Sequence, residues 1–186
     1  MILPITLYGN PVLRKPVEEV EKLPEKTDLK QLVENLFDTM YNANGVGLAA
    51  PQVNMSLSLF VIDTEAFLDE GDTEKPVKKA FVNPEIIETL GGKVGFNEGC
   101  LSVPGINEEV LRPEGVRISY EDTEGNLFEE EFHGKAARVI QHEYDHLYGK
   151  MFVDRLSPLK KTLLKSKLNE IAHGKKVPNY RIKPTK

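Results

Sequence analysis

Tryptophan is missing from this 186-residue chain, and cysteine appears once, as Cys100. A single thiol excludes any disulfide within the chain, so the fold must rest on a buried core. No stretch approaches the ~18 consecutive apolar residues of a membrane-spanning helix. The start of the chain has neither the apolar segment of a secretory signal nor the Arg- and Ser-rich character of a transit peptide. Together with the lone cysteine, this predicts a reducing, cytoplasmic compartment and no membrane partner. No internal repeat and no low-complexity tract is present. Cations are not in excess: 24 Lys and Arg stand against 29 Asp and Glu, for a net charge of −5. That argues against sequence-independent nucleic-acid binding by the whole surface, and no direct sequence-specific binding is expected.

What is there suits one soluble domain: 40% hydrophobic residues and 28% charged. Residues 28–42 predict a first helix, with Leu29, Leu32, Leu36, Phe37 and Met40 at helical spacing and Thr27 or Asp28 as its cap. A Gly-rich loop is expected over 44–52 and a buried strand over 58–63. Residues 65–79, acidic and then basic, read as a surface excursion. Short strands are expected at 79–83, 85–89 and 93–96, interrupted by Pro84 and by Gly91-Gly92. Residues 116–120 and 127–132 flank a hairpin turn at 123–126. Residues 134–148 predict a second helix stopped by Gly149, and 159–171 a third, opened by Ser157-Pro158 and stopped by Gly174. Helices mixed with antiparallel strands, without a regular βαβ rhythm, define an α+β class. Residues 1–174 form the expected domain, and 175–186 a basic, mobile tail.

The second helix carries His142-Glu143-Tyr144-Asp145-His146, an HExxH motif. Residues four apart lie on one helix face, so both imidazoles can reach one metal ion. Glu143 then projects close enough to handle the proton of a bound water, which points to metal-assisted hydrolysis. The same helix has an apolar face at Ala136, Val139, Ile140 and Leu147, so it packs into a core. Arg138, Gln141 and Asp145 are candidate hydrogen-bond partners for metal-bound histidines.

A catalytic site of this kind typically has three protein ligands and one open position. Cys100, His133, His173 and several carboxylates are the candidates. A lone cysteine is more often a small buried apolar residue than a ligand. Here Gly91, Gly92, Gly95 and Gly99 allow close backbone approach around Cys100, which favours the ligand role. His133 and His173 read as surface residues. The competing reading is a zinc endopeptidase with Glu170 as its third ligand.

Three segments in order resemble one family. Gly45-Val46-Gly47-Leu48-Ala49-Ala50-Pro51-Gln52 resembles the GxGLAAPQ motif of bacterial-type peptide deformylases. Glu98-Gly99-Cys100-Leu101-Ser102 resembles their EGCLS motif, and Gln141-His142-Glu143-Tyr144-Asp145-His146-Leu147 their QHExDHL motif. The start, from Tyr8 to Arg14, and Leu156-Ser157-Pro158-Leu159 also look like the family, so the resemblance covers roughly residues 3–170. It implies antiparallel β-sheets packed around a central metal-binding helix, with N-terminal and C-terminal helices. It also implies removal of the formyl group from the N-terminal formyl-methionine of newly made polypeptides.

By motif, the resemblance assigns one divalent metal ion to Cys100, His142 and His146. Ferrous iron is expected, with Zn2+, Ni2+ or Co2+ accepted by the same ligands. It makes Glu143 the acid/base, and the Gln52 amide and Leu101 N–H the donors to the oxyanion. It places substrate main chain against Val46, Gly47 and Gly99. Val46, Phe96 and Val139 are candidates for the methionine pocket, with a core role for Phe96 and Val139 nearly as well supported. Two departures from the family pattern stand out: the long acidic stretch over 64–77, and Asn107-Glu108-Glu109 where a basic residue is common. In some members the C-terminal helix contacts the ribosome near the exit tunnel; the resemblance offers the same contact for this C-terminal helix and its basic tail, with plain surface charge as the simpler account.

Overall fold

The computed structural model describes residues 1–20 and 28–183. Helix α1 (Leu29–Asn42) starts where Asp28 accepts hydrogen bonds from the N–H groups of Lys30 and Gln31. Thr27, the other expected cap, lies outside the described residues. Strands β1 (Gly47–Ala49), β2 (Leu59–Asp63), β3 (Lys78–Cys100), β4 (Val103–Glu121) and β5 (Leu127–His133) follow. Helices α2 (Gly134–Leu147) and α3 (Pro158–Ala172) complete the order. The strands form one antiparallel meander, β1-β2-β3-β4-β5, so the expected sheets are a single sheet.

The three short strands expected between residues 79 and 96 are one long strand. Pro84 and Gly91-Gly92 do not end it. The register of β3 against β4 shifts between Val82 and Glu85 and again between Leu90 and Lys93. Asn83 and Gly91 take positive φ there. A bulge and a strand end carry the same local signals, and only the partner strand distinguishes them. Each bulge bends the ribbon, so the sheet curls around α2 rather than lying flat.

The Gly-rich loop expected over 44–52 contains strand β1 and a 3₁₀ turn, Ala50–Val53. Among the described residues β1 pairs only with β2, and its other edge carries no strand. Helix α2 sits in the middle, and ten of its residues are buried. Its apolar face packs on Phe60, Phe81, Val116 and Ile118 of the sheet. Helix α1 covers Leu48, Leu59 and Val61 on one side. Helix α3 buries Leu164, Leu168 and Ile171 against Leu7, Val110 and Phe152 on another.

Two segments expected at the surface are anchored. The excursion after β2 is held by Lys135, whose ammonium reaches the Phe67 carbonyl (2.8 Å), Asp69 (2.6 Å) and Asp72 (2.8 Å). Its Glu74 accepts from the Lys135 N–H at 2.9 Å. It thereby supplies the N-terminal cap that His133, at the cap position of α2, does not. The tail, expected to be mobile, pairs instead with the N-terminal segment: Ile5 N–H donates to the Arg181 carbonyl (2.9 Å) and Lys183 N–H to the Ile5 carbonyl (2.8 Å).

Candidate metal centre

Cys100 is the last residue of β3, and Leu101-Ser102 form the turn that leads to Val103, its pairing partner on β4. His142 and His146 lie one turn apart on α2. One ligand atom from each of Cys100, His142 and His146 falls within 4.8 Å of the others. Cys100 Sγ lies 3.4 Å from His146 Nε2. Metal–sulfur and metal–nitrogen bonds of ~2.3 and ~2.0 Å at a tetrahedral angle separate the two atoms by about 3.5 Å, so the pair fits one ion.

The surrounding charges fit a cation too. His142 Nδ1 donates to Glu98 Oε2 at 2.9 Å, which leaves Nε2 for a ligand role. Burial alone would lower the His142 pKa, but its bonds to Cys100 and Glu98 outweigh that and push it up to about 10. Burial, with the neighbouring His142 charge, pushes His146 down to about 3. The Glu98 carboxylate, hydrogen-bonded to His142, would offset part of the charge of a divalent ion held there. Binding of that ion would require deprotonated ligands and release protons.

Glu98 is the keystone of a buried ion network. Its Oε1 accepts from Arg112 Nε (2.6 Å) and from Arg138 (2.9 Å). Its Oε2 accepts from Arg112 at 2.9 Å as well as from His142. Burial opposes its ionisation, yet Arg112 and His142 hold its carboxyl well below the usual range. Arg112 is completely buried and reaches on to Asp145 at 2.7 Å. Asp145 is closed from outside by two 2.6 Å bonds from Arg155. His142 on α2, the carboxylate before Cys100 on β3, and β4 are thus locked to one another.

Glu143 lies against Gly47 of β1 and lines the same cavity as His142. Its Oε2 is buried and finds no hydrogen-bond partner among the described residues. Burial pushes its carboxyl up to about 7, against the opposing pull of His142 and Arg112. Gln52 is held on both ends of its amide. Its Oε1 accepts from Ala49 N–H at 2.8 Å, and its Nε2 donates toward Cys100 Sγ (3.5 Å) and to Ser102 Oγ (3.2 Å).

Gln52, Glu98, Cys100, Arg138, His142 and Glu143 line one cavity of about 680 Å³, whereas the buried His146 is not on its lining. Every other site residue expected from sequence is on its lining: Val46, Gly47, Gly99, Leu101, Phe96 and Val139. Val139 is buried. Phe96 is half-buried, edge-to-face with Phe67 at 5.3 Å between ring centres. Two expectations are corrected. Gln141 donates to the Pro113 and Ala137 carbonyls, and Asp145 pairs with arginines; neither orients a histidine. Arg138 does act on the site, through Glu98. Glu170 is exposed on α3 and is not in the group of Cys100, His142 and His146 that could hold a metal ion, so the structure does not bring it to the two histidines as the endopeptidase reading required.

Sequence reasoning missed four contributors: Glu98 as a partner of His142, Arg112, Phe67 and Tyr180. Glu98 lies inside a recognised motif and could have been found there. Arg112 carries no local mark, since an arginine in an alternating strand normally faces water. Phe67 and Tyr180 sit in segments that composition assigns to the surface.

A curled antiparallel sheet around a helix bearing two histidines, with a thiol brought in from the sheet, defines a metal-dependent hydrolase of the α+β class. The chain belongs to the polypeptide deformylase family, whose profile matches residues 2–162. These enzymes remove the N-terminal formyl group from nascent polypeptides, and this chain is a hydrolase of that kind. It is 51% identical to a peptide deformylase of Cytophaga hutchinsonii over 98% of this chain and 97% of the relative. A peptide deformylase structure from Legionella pneumophila matches with a TM-score of 0.79 at 42% identity, over 96% of this chain and all of that one. One from Thermotoga maritima matches at 0.72 and 44%, over 85% of this chain and 99% of that one. Among the described residues no helix is long and apolar enough to cross a membrane.

Proposed function

We propose that Cys100, His142 and His146 hold ferrous iron in the cell, with Zn2+, Ni2+ or Co2+ as acceptable substitutes, and that this site deformylates formyl-methionyl peptides in the cytoplasm. The carrying observation is the proximity of one ligand atom from each of Cys100, His142 and His146, with Cys100, His142, Glu143 and Gln52 lining one cavity and Glu143 Oε2 without a hydrogen-bond partner among the described residues. A divalent ion bound there polarises the formyl oxygen and acidifies water.

The protein's own groups do the rest. Glu143 accepts the proton of the attacking water and delivers it to the leaving amine nitrogen. Gln52 Nε2 and the Leu101 N–H donate to the oxyanion; losing one such donor typically costs ~10²–10³ in rate. The peptide lies extended along the free edge of β1, against Val46 and Gly47, with Gly99 opposite. Val46, Val139 and Phe96 receive the methionine side chain. The apolar lining of the cavity supports this part of the reading, and Phe67 extends that wall. The ribosome is the proposed macromolecular partner, through the exposed lysines of α3 around Leu159 and Leu163.

The test is anaerobic formate release from formyl-Met-Ala-Ser by ferrous- or nickel-loaded protein, with acetyl-Met-Ala-Ser as control. Release from the formyl peptide alone is expected. No release with metal bound overturns the reading.

A further inference from the structure

The segment after α3 passes across the site instead of leaving the molecule. Gly174, at φ 65°, ends the helix, and Lys175 N–H caps it by donating to the Glu170 carbonyl at 2.9 Å. Beyond Tyr180 the chain is pinned again: the Arg181 and Lys183 backbone pairs with Ile5, and the Arg181 guanidinium reaches the Ile2 carbonyl at 3.0 Å. Between these anchors, residues 176–180 line the same cavity as Cys100, His142 and Glu143. Within that span, the Tyr180 hydroxyl donates to the Leu101 carbonyl at 2.5 Å.

The Leu101-Ser102 turn carries Cys100 at one end and the proposed oxyanion donor in its middle. Its Ser102 half is held from within the domain: Tyr8 N–H donates to the Ser102 carbonyl (2.8 Å), and Gln52 to Ser102 Oγ. The peptide between Leu101 and Ser102 is held by Tyr180. A peptide plane in a short turn rotates by opposed changes of the dihedrals on either side, and fixing its carbonyl restrains that rotation. The neighbouring Leu101 N–H is then kept in line, where even a ~1 Å misplacement can cost ~10² in rate.

We propose that residues 176–180 form a fixed wall of the peptide cleft, and that Tyr180 is a positioning residue that sets the Leu101 turn for the reaction. This rests on the reading of the Leu101 N–H as an oxyanion donor. Such a residue acts on the transition state more than on ground-state binding, so its loss lowers kcat with KM little changed.

The experiment compares Tyr180→Phe and Gln52→Leu with the parent protein in formyl-Met-Ala-Ser hydrolysis. It adds the ¹⁵N resonance of Ser102, whose amide shares the peptide with the Leu101 carbonyl, in zinc-loaded protein selectively labelled at serine. For Tyr180→Phe, a roughly tenfold drop in kcat, a KM within about twofold and a displaced Ser102 resonance in an otherwise preserved spectrum are expected. An unchanged kcat in Tyr180→Phe with a large loss in Gln52→Leu overturns the Tyr180 role and leaves the oxyanion reading standing. Unchanged kcat in both overturns the oxyanion reading and the proposal with it. A raised KM at constant kcat also overturns the proposal, since Tyr180 would then act on substrate binding. An unmoved Ser102 resonance overturns it as well.

Discussion

The carboxylate of Glu143 occupies the space that a side chain on Gly47 would need: a Cβ there would come within 2.5 Å of Glu143 Oε1 and 2.8 Å of Cδ. The strand edge and the Glu143 carboxylate thus meet only because residue 47 is glycine. Gly47→Ala is expected to displace the carboxylate and lower kcat/KM by about 10²-fold while metal content stays unchanged. Steady-state kinetics with metal analysis of the same sample checks this.

Glu98 holds His142 by Nδ1, and an amide in its place gives up the charge that matches His142, Arg112 and Arg138. Glu98→Gln is expected to weaken metal binding ~10–100-fold. Competition with a chromophoric chelator measures it. Affinity within twofold of the parent would show that Glu98 serves only the arginines.

Arg112 is fully buried between Glu98 and Asp145. Replacing it with Met leaves two buried carboxylates short of their shared cation and should cost about 3–5 kcal/mol in urea unfolding at pH 7. Both carboxyls are held below their ordinary values in the folded state, by Arg112 and His142 for Glu98 and by Arg155 and Arg112 for Asp145, although burial opposes this. Their stabilisation is therefore complete above the unfolded values of ~4 and is lost as pH falls below them. Parent stability should decline through that range, measured in chelator so that metal loss does not set the slope. Arg112→Met should decline less steeply, because its carboxyls return toward or above the ordinary range.

Cys100→Ser and Glu170→Ala separate the two ligand sets. The first is expected to lower metal-dependent activity by more than ~10²-fold, beyond the effect of losing an outer partner. The second, on an exposed helix face, should leave it unchanged. The opposite pattern would restore the endopeptidase arrangement.

Much of this was legible along the chain. The α1 cap at Asp28, the hairpin before α2 and the extent of α3 follow from local chemistry, since caps, turn residues and helical spacing act over a few residues. The HExxH pair is local in the same sense. Cys100 could be suspected from its glycines, but only the pairing of β3 with β4 carries it to the histidines. The bulges at Pro84 and Gly91-Gly92 were misread as strand ends because the partner strand that bridges them is distant in sequence.

By itself, the sequence determined the class, the helix bearing two histidines and the three motifs, because each is written within one helix, strand or turn. Tertiary structure alone decided which residues would serve the site from afar. Arg112 is drawn inside by two carboxylates from different elements, Phe67 is held by Lys135 at the start of α2, and Tyr180 is brought to Leu101 by a tail pinned at Ile5. Each depends on long-range contacts whose partners no local pattern names, which is why composition assigned the last two to the surface.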